Sequence, residues 1–432
     1  MKMHTMTSML ALVSVAGLSI SASAQDTGDQ VVSVYERSRP DFQAPGARSG
    51  SFIFSPTISA GGRYNSNIFA RRAGATATNP GEIDDFIWSV QPDFSLTSDW
   101  NQHFVQFTAG ADIARYTDNP REDYEDFNVG ANGRIDIERG MNINWGASYV
   151  DQHEDRGAPD TNGLQSELTR FQRFDANVGF LRDQSIMSLA VDAYYENWTF
   201  SDADLLGGGR LDNTQRERER FSGRVRVGYE VDQYYDAFVE LRANRIDYEN
   251  SQEIGGPRRD SDGWEARAGA TFDLTGTSRG EFFVGYLNQE FDNDRLGKID
   301  DFTFGAKLLW NPTGLTSVNV GVDRSILETI VSDTTDGTIQ FASGILATNY
   351  SVNVEHELQR NFLVKGGLTY STQDFENTIR SDDNYAANLG ARYFINRNFA
   401  LNANYTWDYR NTNAQGQDFK RHVFMVGVTA NW

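Results

Sequence analysis

From residue 51 to residue 432 the chain is a succession of segments in which apolar and polar side chains alternate. Across residues 126–138, Phe127, Val129, Ala131, Ile135 and Ile137 fall on one face, and Asp126, Asn128, Asn132, Arg134, Asp136 and Glu138 on the other. A strand sends successive side chains to opposite faces, so such a segment has one apolar and one polar wall. The same split recurs at Val105–Phe107–Ala109–Ala111–Ile113, at Trp264–Ala266–Ala268–Ala270–Phe272 and at Phe399–Leu401–Ala403–Tyr405–Trp407. Eighteen such segments can be counted.

A soluble sandwich also alternates, so loop lengths decide between the two. Connections at 138–141, 182–185, 231–234, 275–278, 311–314, 358–361 and 396–398 are short. Those at 61–85, 151–170, 201–215, 250–261, 325–341 and 411–420 are long. Short turns on one side and long loops on the other are the habit of outer-membrane barrels. Aromatics near strand ends on the apolar face (Trp88, Tyr149, Tyr195, Tyr229, Tyr235, Trp310, Tyr370, Trp407) suit the two interfacial girdles. The final segment closes on Phe424, Val426, Val428, Ala430 and Trp432, an alternating strand with an aromatic end of the kind read by the barrel-assembly machinery. The pattern therefore predicts an all-β protein, one antiparallel transmembrane β-barrel of about 18 strands over 51–432. Pro56 and Pro92 fall inside the first two strands, where bulges or strand ends are expected because each removes a ladder hydrogen bond.

Residues 1–24 read as a secretory signal: Lys2, an apolar stretch from Met9 to Ile20, and the small-residue site Ala22-Ser23-Ala24, so cleavage is expected after Ala24. Residues 25–50 are polar and turn-rich, an extended periplasmic segment with no core of its own. Both termini are then periplasmic. The 39 basic and 60 acidic residues give a net charge of −21, which argues against nucleic acid as a partner. There is no cysteine, hence no disulfide or thiol chemistry.

Candidate chemistry is sparse. Arg216, Arg218, Arg220, Arg224 and Arg226 share one face of strand 8, opposite Phe221, Val225 and Tyr229. This arginine ladder reads either as a cationic track for an anionic solute or polymer, or as a set of ion pairs with inward acids on the neighbouring strands, Asp192 and Glu196 on one side and Asp236 and Glu240 on the other. His103, His153, His356 and His422 are scattered and show no nucleophile arrangement, so no enzyme and no cofactor is expected. Gly207-Gly208-Gly209 reads as a loop tip, and Asp292-Asn293-Asp294 and Asp300-Asp301 as solvated acids without calcium-loop spacing.

The run Val34-Tyr35-Glu36-Arg37-Ser38-Arg39-Pro40-Asp41-Phe42, followed by Gly46-Ala47-Arg48-Ser49-Gly50-Ser51-Phe52 and by Gly62-Arg63-Tyr64-Asn65-Ser66-Asn67-Ile68-Phe69, resembles the putative beta-barrel porin 2 family of outer-membrane proteins. Asn65 stands where that family more commonly has Asp. The resemblance implies an outer-membrane channel often found with exopolysaccharide genes, in contact with lipid and lipopolysaccharide and with periplasmic polysaccharide-export components. A conduit for exopolysaccharide is the sharpest form of that expectation; a general diffusion porin and a plugged, non-conducting surface barrel are the alternatives.

Overall fold

The computed structural model describes residues 31–74, 81–161, 165–205, 208–249, 256–274, 277–335 and 338–432. The proposed leader and its cleavage site lie outside the described residues, as do Gly207 and much of the 250–261 loop. Eighteen strands form one closed antiparallel barrel. In chain order they are β1 (Phe52–Asn65), β2 (Asp85–Ser98), β3 (Phe104–Tyr116), β4 (Tyr124–Glu138), β5 (Met141–His153), β6 (Arg170–Asp183), β7 (Met187–Phe200), β8 (Arg218–Asp232) and β9 (Tyr235–Tyr248). The second half is β10 (Ser261–Leu274), β11 (Ser278–Phe291), β12 (Lys298–Thr313), β13 (Thr316–Leu327), β14 (Ile345–Gln359), β15 (Phe362–Phe375), β16 (Ser381–Phe394), β17 (Phe399–Thr412) and β18 (Phe419–Asn431).

Each strand pairs with its sequence neighbour, and β18 closes on β1 from Thr57↔Asn431 to Asn65↔Val423. The seam is latched at both ends. At the end of the short turns, which is the periplasmic end in barrels of this class, the Trp432 N–H donates to the Pro56 carbonyl at 3.2 Å. At the extracellular end the Ser66 N–H donates to the His422 carbonyl at 2.9 Å, and the buried Asn67 amide donates to the Arg71 and Lys420 carbonyls at 2.7 and 3.0 Å. The Asn67 of the porin-like sequence block is thus a fastening of the seam.

Of the two outcomes expected at the strand prolines, a bulge occurs at neither; Pro56 sits at a ladder end and Pro92 at a gap in a ladder. Pro56 lies one residue beyond the last pair of the β1–β18 ladder, so its missing N–H costs nothing there. At Pro92 the pairing with β1 is kept, while the ladder to β3 skips Gln91 and Pro92 and resumes at Asp93↔Gly110 in the same register. The bulges are instead at the periplasmic ends, between Asp136/Glu138, Glu230/Asp232, Trp310/Thr313 and Glu357/Gln359.

The alternation sorts the faces. Val284 (67% exposed) and Phe302 (71% exposed) stand bare on the outside, a position stable only against lipid. Tyr350, Tyr370, Tyr385 and Tyr409, register partners on β14 to β17, stack in one row with ring centroids 5.9, 4.9 and 5.9 Å apart. They form part of the extracellular aromatic girdle, while Tyr229, Tyr235 and Trp310 stand at the periplasmic ends of their strands.

The lipid face has a sharp test. Val284→Arg, at the middle of β11, is expected to cost about 2–4 kcal/mol in urea unfolding from lipid vesicles. Asn319→Arg, turned to the lumen on β13, should leave the unfolding midpoint near that of the unaltered chain.

Candidate functional site: the barrel lumen

A wall of 18 strands encloses a lumen wide enough for an aqueous channel unless chain segments fill it. Segments of the described chain enter it from both mouths. The first is residues 31–46 at the periplasmic mouth. Short 3-10 turns at Val34–Glu36 and Pro40–Phe42 lay this stretch on the inner wall of β13 to β17. Val34 is fully buried against Leu363, Phe394 and Ala400, and Phe42 stacks on Phe394 at 5.8 Å. The Val34 N–H donates to Ser317 Oγ at 2.8 Å and the Tyr35 N–H to the Glu355 carboxylate at 2.9 Å. Arg39 pairs with Glu357 at 2.8 Å. Gly46, at φ +75°, makes the turn back into β1; a side chain there would collide with Ile53, Ser55 and the Phe54 carbonyl. The segment that looked coreless in sequence borrows its core from the barrel wall. Burial pushes the Tyr35 phenol up to about 12, against the nearby Arg392.

The second segment is residues 154–161, the start of the loop after β5. Its fastenings are distributed round the barrel. Glu154 and Asp160 hold Arg216 at 2.6 and 3.5 Å. Asp155 reaches Arg421 on β18 at 3.1 Å. Arg156 makes a buried pair with Glu122, at the turn between β3 and β4. The Pro159 carbonyl accepts from Arg380 at 3.3 Å, and Asp160 accepts from Thr329 Oγ1 at 2.6 Å, beyond β13. A segment tied beside the ends of β4, β8, β13 and β16 and to β18 itself at once lies across the opening. Gly157 permits the closest approach, since a Cβ there would come within 2.9 Å of the Phe419 ring. This strap narrows the extracellular half of the lumen.

Electrostatics keep the strap down. Burial works to raise the Asp155 pKa, but the Arg421 guanidinium and the Gly157 N–H outweigh it and hold the carboxyl below its ordinary range. Burial likewise disfavours charge on Arg216, and Glu154 and Asp160 more than compensate, leaving its pKa above the usual value.

The arginine ladder divides in three. Arg216 is not part of strand β8. It sits in the 3-10 turn Thr214–Arg216 just before it, buried and neutralised by the strap, because the chain turns over the barrel rim there. Arg224 and Arg226 lie on the inner face and are paired. Arg224 meets Asp192 at 2.8 Å, and Arg226 meets Glu281 at 2.9 Å. Glu240, nearly inaccessible, is ringed by Arg242 at 2.6 Å, Arg226 at 3.6 Å, Arg267 at 3.7 Å and Arg224 at 3.9 Å. Arg218 and Arg220 form the third group, and among the described residues no carboxylate lies within ion-pair distance of either. Glu196 opposes Arg220 in register without closing the pair, and Asp236 accepts only from Thr271 Oγ1 at 3.2 Å. The sequence pattern did not single out Glu281 or Glu265: the first lies three strands from β8, within reach only through the curvature of the wall, and the second pairs with Arg267 at 2.6 Å.

The histidines are spread over the wall. His103 accepts from the Asp136 N–H in a periplasmic turn, His153 contacts Asp126 at 2.8 Å, His356 contacts Thr316 and His422 contacts Tyr405. Among the described residues no group of His, Asp and Glu is arranged to hold a metal ion.

The sequence matches the family described as Putative beta-barrel porin 2 over residues 39–432. Among solved structures it is similar to the outer-membrane protein OpdK of Pseudomonas aeruginosa, at 11% identity and TM-score 0.44, over 88% of this chain and 98% of that one. It is similar also to a BenF-like porin of Pseudomonas fluorescens Pf-5, at 9% identity and TM-score 0.45, over 88% and 99%. OccAB4 of Acinetobacter baumannii matches at 11% identity and TM-score 0.44, over 88% and 98%. No curated protein matches the sequence.

Two predictions follow the two inserted segments. An Asp155 carboxyl held below its ordinary pKa stabilises the docked strap above the unfolded value of about 4, and that contribution is lost as pH falls through the lower, folded value. Single-channel conductance should therefore rise as pH is taken below about 4, and Arg421→Gln should show the raised conductance already at neutral pH. At the other mouth, Val34→Asp puts a carboxylate into an apolar contact beside Glu355 and Glu357, and should make residues 31–46 cleavable by protease in detergent while the barrel stays intact.

Proposed function

The chain belongs to the beta-barrel porin 2 family and is a porin-like channel of the outer membrane, and on that premise we propose that it passes small hydrophilic solutes by diffusion. The observation that carries this reading is the strap. Residues 154–161, tied to Arg216, Arg380 and Arg421, leave a narrowed passage suited to single small molecules. The wall below it is polar, with both signs of charge interspersed and largely paired, which suits a wetted path without a strong ion filter.

Export of an exopolysaccharide is the second reading. It is favoured by the nature of the strap's fastenings, which are mostly ion pairs and hydrogen bonds that water can replace, so that the strap could swing aside for a polymer. Osmotic swelling of proteoliposomes separates the two. Diffusion predicts that monosaccharides and disaccharides enter and that permeation falls steeply for larger oligosaccharides, with the cutoff raised in Arg421→Gln. Exclusion of monosaccharides would defeat the porin reading, and free passage of long oligosaccharides through the unaltered chain would favour export.

A further inference from the structure

We infer that Arg218 and Arg220 form a binding site for a small hydroxylated organic carboxylate, such as a sugar acid, in the lumen beneath the strap; the inference rests on the diffusion reading above. Arg218 and Arg220 line one cavity, together with Phe171 and Trp198, and Gln373, Asn384 and Arg410 line it from the other wall. The ladder above and below is neutralised, Arg216 by Glu154 and Asp160, Arg224 by Asp192, and Arg226 by Glu281. Only in between does positive charge stand without a carboxylate among the described residues.

The two arginines are also differently prepared. Arg218 is held in place without being neutralised. One of its terminal N–H groups donates to the Arg216 carbonyl at 2.8 Å, and its guanidinium lies over the Trp198 ring at 5.1 Å. Arg220 is unspent: among the described residues its side chain makes no hydrogen bond, and its Nε is buried without an acceptor. A buried donor left unpaired is costly, and a planar fork of N–H groups is matched by the two oxygens of a carboxylate.

The acids around the cavity are mostly engaged. Glu154 and Asp160 are taken by Arg216 and Asp155 by Arg421, while Glu328 accepts from the Tyr248 hydroxyl at 2.8 Å. Glu196, opposite Arg220 in register, is the group that competes with a bound anion. The amides of Gln373 and Asn384 offer partners for hydroxyl groups, which is why the assignment is to a hydroxylated acid.

The test uses the full chain in planar bilayers, with gluconate as probe and sorbitol as its uncharged counterpart of similar size. Gluconate should reduce the current saturably and sorbitol should not. Arg220→Gln, which removes no side-chain hydrogen bond or ion pair among the described residues, should weaken the gluconate block about tenfold, and Arg218→Gln with Arg220→Gln should abolish it. Glu196→Gln should strengthen it. A conducting channel that gluconate does not block, or a block that survives Arg220→Gln, would overturn the site and leave the channel standing. A chain that conducts nothing would overturn the diffusion reading itself.

Discussion

Inside a bilayer no water is available to a backbone N–H or C=O, and every other feature of this molecule follows from how that demand is met. A strand wall satisfies it only by closing on itself. The pairing of β18 with β1 does so, with the Trp432 and Ser66 amides extending it past the ladder at either end. Closure also fixes which face of each strand meets lipid. The apolar half of the alternation is therefore spent on hydrocarbon, and the polar half is committed to the inside. A molecule built this way has little conventional core, and its small buried apolar clusters lie at the mouths, where loops and the N-terminal segment turn inward.

An interior of charged side chains must then be balanced locally. Around β8 to β11 the balance is struck by single pairs, Asp192 with Arg224, Glu281 with Arg226 and Glu265 with Arg267, gathered about Glu240, which four guanidinium groups share. Such a network holds wall-lining side chains in defined positions at the edge of a water column, where isolated pairs would be weak. The strap extends the same chemistry across the opening, using Arg216, Arg380 and Arg421 from three sides.

The wall was readable in the sequence because its signal is local: a period of two, short turns alternating with long loops, and aromatics at strand ends. The strand number and the inward face of Arg218 to Arg226 come directly from that period. Part of the ladder's pairing was readable as well, since Asp192 and Glu240 stand on adjacent strands. What escaped was everything set by closure in three dimensions. Asp155 and Arg421 are 266 residues apart and carry no shared pattern. Arg216 continues the alternation in sequence but has already left the strand, because a period of two does not say where a strand meets the rim. Val34 and Phe42 looked like stray apolar residues in a polar stretch, since the surface they cover is supplied by β15 to β17.

That last feature bears on the order of assembly. The groups that receive residues 31–46 are Ser317, Glu355, Glu357, Leu363, Phe394 and Ala400, all from the final third of the chain. Residues 31–46 therefore have this surface to rest on only once β13 to β17 stand in the wall. The ordering of residues 31–46 is in this way tied to strand residues that lie 283 or more positions further along the chain. Its docking thus reports that the far wall is in place, a long-range dependence that joins the two ends of the described chain.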